Sequence, residues 1–324
     1  MVNTRKHIFR VVHFTVSAVL LACVVMIVDL DKLLALTPKV SWSIWLFSLA
    51  FAFLSIACGA GQVDVVLKTL GVTQPYFRIF RILLATRFYA LFVPGVVSSA
   101  AVKWYRLSNG GAAWFQTGIT LGTASYLNLV VAAVGFVSLL SLHKFESTGL
   151  FLLIMFLCAG FSWLLFSSRV LRLVNATLMW IATASPRLHW IMDAGSSAIL
   201  GFVEMPPSAR TRLWVISVGH FLALGTALHF AVLSVEPTIA WRTSLLIQAC
   251  LLLVQAIPIS ISGIGVREVT LVYLFGALTP FPSESALLVA LLLYARHLCI
   301  GVAGGAVEAR TALRSLFGTY AKAY

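Results

Sequence analysis

Three arginines fall inside apolar runs of this sequence: Arg87, Arg267 and Arg296. A guanidinium stays charged at any ordinary pH and offers a planar fork of N–H donors that matches carboxylate or phosphate oxygens. On insertion scales each costs about 2.5 to 3.5 kcal/mol at the centre of a membrane helix, so an intramembrane base is a functional candidate by default. The chemistry indicated is anion binding. Interfacial snorkelling is the alternative, since Arg87 is only six residues from Arg81 and Arg267 follows a proline and two glycines that would kink a helix. Catalytic signals are missing: there is no H-E-x-x-H, no carboxylate pair within the apolar spans beyond the isolated Glu268 and Glu308, and no nucleophile with a plausible base. No catalytic residue, metal or cofactor is expected.

Two interrupted stretches must position these bases. Residues 255–268 read Gln-Ala-Ile-Pro-Ile-Ser-Ile-Ser-Gly-Ile-Gly-Val-Arg-Glu. Pro258 removes a backbone donor and disfavours helical geometry at Ile257, while Gly263 and Gly265 accept dihedrals that other residues resist. A helix restarting near Val266 would carry Arg267 and Glu268 in its first turn and turn its free N–H groups toward an anion. Glu268 would pair with one base when no ligand is bound. The other stretch, residues 93–106, aligns with it: Pro94 with Pro258, Ser98 with Ser262, Val102 with Val266 and Lys103 with Arg267, at an offset of 164 residues. Gly/Pro-interrupted apolar segments in corresponding positions of two halves point to a binding site made of broken helices. Arg87 precedes Pro94 by seven residues, almost two helical turns or about 10 Å, and so shares its face.

The composition sets the medium. Of 324 residues 60% are hydrophobic and 10% charged, with a mean hydropathy of +1.00, which excludes a soluble single-core protein. We expect an all-α, polytopic membrane helix bundle of about seven to eight spans plus broken or re-entrant helices, a single integral domain over residues 1–324. Its first half is 1–145, followed by a span and cytoplasmic amphipathic linker over 146–212, then a second half over 213–324, an arrangement that admits an internal two-fold repeat. The span candidates are 8–28, 42–61, 115–140, 149–166, 213–233, 243–257 and 285–309, with 79–101 and 262–277 broken. No ten-residue alternation of a barrel is present.

A net charge of +13 would suggest nucleic acid in a soluble protein. Here the bases lie between spans and read as topology signals. Placing 1–10, 62–81, 103–106, 168–212 and 309–324 in the cytoplasm collects 16 of the 23 Lys and Arg, against four outside, so both termini are expected there. The five cysteines form no C-x-x-C pair and indicate neither disulfides nor zinc. Trp42 and Trp45 suit a membrane interface. The small residues from Cys58 to Gly61 suit helix packing, Thr123 and Asn128 interhelical hydrogen bonds, and His297 a hydrogen-bonded packing role. Gly301, Gly304 and Gly305 allow close approach after the Arg296 turn.

At Ile257-Pro258-Ile259-Ser260 and Gly263-Ile264-Gly265-Val266-Arg267-Glu268 the chain resembles the transmembrane domain of the lysylphosphatidylglycerol synthase, or flippase-like, family. The likeness extends through Gly276 and the Arg296 span, and more loosely through Val93-Pro94-Gly95, Lys103 and Arg106. Departures are Ser98-Ser99 for a Gly-Gly pair, Ala101 and Lys103 for an acidic residue and Arg, and no arginine near Tyr126. The resemblance implies the lipid-translocating half of such a protein, without the soluble aminoacyl-transferase domain. The expected function is a lipid flippase-like protein of the cell inner membrane, translocating an anionic or zwitterionic lipid supplied by a partner enzyme. A non-transporting subunit of a lipid or envelope-glycan pathway is the alternative, and a lipid-modifying enzyme a more distant one.

Overall fold

A computed structural model describes residues 35–92, 96–144, 172–173, 176, 205–256 and 265–320. Among them are a 3-10 turn, Thr37–Lys39, and eight long helices: α1 (Trp42–Thr69), α2 (Tyr76–Phe92), α3 (Val96–Ser108), α4 (Trp114–Lys144), α5 (Pro207–Leu233), α6 (Trp241–Ala256), α7 (Val266–Leu278) and α8 (Ser283–Tyr320). No strand occurs among the described residues. The all-helical membrane class expected from composition is what forms.

Helices α1, α4, α5 and α8 are long and apolar enough to cross a membrane. The 16-residue α6 and 13-residue α7 rise only about 24 and 20 Å at 1.5 Å per residue, short of the roughly 30 Å hydrocarbon thickness. The expected spans 8–28 and 149–166, and most of the amphipathic linker, lie outside the described residues; its last residues, from Pro207, open α5.

The chain divides into two compact units that interleave along the sequence. One comprises Met1–Leu54, Arg81–Lys103 and Ala223–Tyr324, the other Ser55–Phe80 and Trp104–Leu222. In the first, α7 packs on α6 and α8. Leu271, Phe275, Ala286 and Val289 are completely buried there, and Phe275 stacks on Phe281 at 4.6 Å across the α7–α8 turn. That turn forms because Thr279 closes α7 through its N–H and hydroxyl on the Phe275 carbonyl, and Pro280 and Pro282 prevent continuation. Trp45 is buried, with its indole N–H donating to the Leu292 carbonyl at 3.2 Å, whereas Trp42 is exposed; of the two expected interfacial tryptophans, Trp45 is instead a core residue of α1.

Close approach of α2 to α8 depends on glycines. A methyl group at Gly304 would strike the Leu84 carbonyl, one at Gly301 the Leu91 side chain, and one at Gly305 the Phe88 ring. With Cβ absent, backbone meets backbone, the usual device of helices in lipid. The Tyr89 hydroxyl reaches Glu308 at 3.0 Å across the same pair.

The second unit holds a neutral polar cluster. Gln62 Nε2 donates to Asn128 Oδ1 and Ser217 Oγ, both at 2.8 Å, and Ser217 donates on to the Leu213 carbonyl. These bonds let α1 run eight residues past Gly61 to Thr69, with Asp64 and Lys68 joined at 2.7 Å one turn apart. Asn128 thus has the interhelical hydrogen bond expected of it.

Candidate functional site

Pro94, Pro258, Ser262 and Gly263 lie outside the described residues, as does the side chain of Ser98, whose backbone belongs to α3. Of the remaining site residues, Arg87, Lys103, Gly265, Arg267, Glu268 and Arg296 all belong to the first compact unit.

The restart expected at Val266 is where α7 begins. Gly265 caps it at φ 83°, in the left-handed region that a side chain would resist, which explains a glycine at this position. Glu268 then folds back: one carboxylate oxygen accepts the Gly265 N–H at 2.7 Å, and the other accepts Arg267 Nη2 at 2.8 Å and Nε at 3.2 Å. The helix end that an incoming anion would use is therefore occupied by an internal carboxylate. The Arg267 guanidinium also lies 5.7 Å from the Tyr294 ring centroid, within cation–π range.

Arg296, on α8 two residues beyond Tyr294, is 5% exposed. Its Nη1 donates to Ser48 Oγ at 3.1 Å, and Ser48, itself fully buried, donates to the Ala227 carbonyl at 2.6 Å. Its Nε is buried with no hydrogen-bond partner. Among the described residues no carboxylate pairs with Arg296 or with Arg87. A buried guanidinium held by one hydroxyl is under-compensated, since buried charges are ordinarily paired and fully hydrogen-bonded.

Arg87, Arg267 and Arg296 lie on α2, α7 and α8, and α8 packs against both α2 and α7. Their exposure is graded: Arg296 is buried, the Arg267 side chain 12% exposed and Arg87 exposed. Arg87 is carried by the part of α2 that the α8 glycines draw in, with its carbonyl against Gly301. His297 Nδ1 donates to the Leu293 carbonyl at 2.6 Å, so this nitrogen is committed to its own helix, as a packing histidine would be.

Ser48 is the residue sequence reasoning missed. A serine in an apolar helix carries no signal of its partner, and Ser48 and Arg296 are 248 positions apart. The usable clue was spacing: Trp45 and Ser48 are one turn apart, so both face α8.

Among the described residues no His, Cys, Asp and Glu gather as metal ligands, and Cys58, Cys250 and Cys299 are free. Among protein-family models, the one described as Lysylphosphatidylglycerol synthase TM region matches residues 10–305. No curated protein matches the chain.

Proposed function

Because this chain belongs to the lysylphosphatidylglycerol synthase transmembrane-region family, matched over residues 10–305, we propose that it is a lipid flippase-like protein that receives a headgroup phosphate on Arg87, Arg267 and Arg296. Family and long apolar helices together make it a membrane protein connected with lipid metabolism or transport. The observation that supports the finer reading is the Arg296 guanidinium, buried on Ser48 with its Nε unpaired. Evolution seldom retains such a charge in apolar surroundings without a ligand to neutralise it, because it costs a few kcal/mol. The bases act by binding and orientation, and no covalent step is assigned to them.

In this reading the broken stretches carrying Pro94, Ser98, Pro258, Ser262 and Gly263 complete the site. The protein resides in the inner membrane with both termini in the cytoplasm, and a partner enzyme supplies the lipid. The test is leaflet exchange: full-length protein in liposomes carrying an acyl-labelled anionic phospholipid, with label in the outer leaflet quenched by an impermeant reductant. Exchange by the unaltered chain and its loss in Arg296→Gln support transport. Headgroup binding without exchange would instead favour the non-transporting subunit.

A further inference from the structure

We propose that α2 and α3 form a re-entrant hairpin, which enters and leaves the membrane on one face and turns back near its middle. The base is closed between the chain that leads into α2 and the end of α3. Gln74 Nε2 donates to the Leu107 carbonyl at 3.1 Å, and a methyl group at Gly110 would strike the Gln74 amide. Gln74 and Leu107 are both buried, so the joint is packed. At the other end Phe92 and Val96 are four residues apart along the chain, and so no more than about 15 Å apart in space. Helices of 17 and 13 residues, about 26 and 20 Å long, that meet at one end and are tied by so short a link at the other must double back.

The base lies at a membrane face. It adjoins the end of α1 and the start of α4, where Gln116 Nε2 donates to the Leu70 carbonyl at 3.1 Å, and both of those helices are long enough to cross. Lys68, Arg78, Tyr76 and Trp114 are exposed at this end, the basic and aromatic residues of an interface. Depth follows from α8. Gly304 meets Leu84 and Gly301 meets the Arg87 carbonyl, so α2 and α8 run antiparallel. Eight residues after Leu84 and eight before Gly304, Phe92 comes level with Arg296, which is thirteen residues, about 20 Å, from the start of α8. The hairpin thus stops well short of the far face, at a depth where backbone outside a helix is tolerated only against protein or water. The exposed residues of α3 follow the same gradient: Ala101 is apolar, Tyr105 one turn on is amphipathic, and Asn109, just past the helix end, is polar. Arg87 lies eleven residues past Tyr76, about 16 Å in from the base, farther than its side chain reaches, so snorkelling to that interface does not account for it.

Sidedness and depth are measured separately. Lys39→Cys, Thr73→Cys and Asn109→Cys, each replacing an exposed side chain, are treated with a membrane-impermeant maleimide in inside-out and in right-side-out vesicles. The unaltered chain, whose five cysteines all fall in apolar runs, gives the background. Thr73→Cys and Asn109→Cys should be labelled from the same face and Lys39→Cys from the other. Labelling of Thr73→Cys and Asn109→Cys from opposite faces overturns the hairpin, because α2 and α3 together would then cross. For depth, a nitroxide is attached at Ala101→Cys, Tyr105→Cys or Asn109→Cys in a chain whose own cysteines are replaced by alanine. Its collisions with oxygen, relative to those with a water-soluble nickel chelate, should fall in that order. A nitroxide at Ala101→Cys as open to the chelate as one at Asn109→Cys lays the hairpin on the membrane surface and overturns re-entry. The vesicle labelling keeps the native cysteines, so it decides the sidedness whether or not the cysteine-free chain folds.

Discussion

The polar groups on Gln62 and on Arg296 both lie inside apolar helices, one in each compact unit, yet they are treated differently. Gln62 is neutral and finds partners in Asn128 and Ser217, so its amide N–H groups are used within the protein. Arg296 is charged, has one hydroxyl for a partner and keeps a buried Nε without any. A closed neutral network joins helices at little electrostatic cost, because a satisfied buried amide loses only what its bonds to water were worth. An open charged one does not repay its desolvation from the protein alone. Completeness of hydrogen bonding, rather than polarity, separates Gln62 from Arg296.

The comparison breaks first at Arg296. Replacing it with Gln removes an uncompensated charge, so thermal stability should hold or rise, while lipid binding should fall about tenfold to a hundredfold, the range for losing hydrogen bonds to a charged group. Equilibrium lipid binding and thermal unfolding on the same detergent-solubilised sample would show both. Unfolding of this variant with unchanged lipid affinity would make Arg296 a structural residue.

Gln62→Leu should show the opposite pattern. It strands Asn128 and Ser217 without their shared donor, and stability should drop by about 1 to 3 kcal/mol, the cost of unsatisfied buried polar groups. Exchange per folded molecule should stay at the unaltered level. A loss of exchange with unfolding unchanged would move Gln62 into the transport machinery.

Local features were legible in sequence where the chemistry was local. Gly265 and the apolar run behind it marked the start of α7, and Glu268 was expected to pair with one base, which the structure identifies as its neighbour Arg267, because a helix N-terminus is built from adjacent residues. The glycines of α8 announced close packing, but not that α2 fills the space, since a missing side chain names no partner. Pairings between distant helices were hidden for the same reason. Asn128 was expected to bond across helices without Gln62 being identified, and Gln62 itself read as the first residue of a cytoplasmic segment, 62–81, rather than as a continuation of the span. Trp45 read as interfacial because its class of residue favours interfaces, yet a carbonyl on α8 satisfies its N–H inside the core.

The smallest expected effect lies where the two patterns meet, at Ser48. Its hydroxyl donates to Ala227 and accepts from Arg296, so it resembles Gln62 as a helix joint and belongs to the anion site as well. The carbonyl of Ala227 lies inside α5 and keeps its helical partner when the hydroxyl is removed, so Ser48→Ala should change stability by less than about 1 kcal/mol. The guanidinium loses the one anchor it has among the described residues and must be ordered by the lipid at the moment of binding, which costs rotamer entropy and should weaken affinity about fivefold. Ser48→Thr, which keeps the hydroxyl but adds a methyl to a fully buried position, should retain lipid affinity while losing stability to overpacking. Measured together, the two variants separate holding the helices from holding the arginine: if Ser48→Ala unfolds as readily as Gln62→Leu and binds lipid as the unaltered chain does, Ser48 belongs with the closed network.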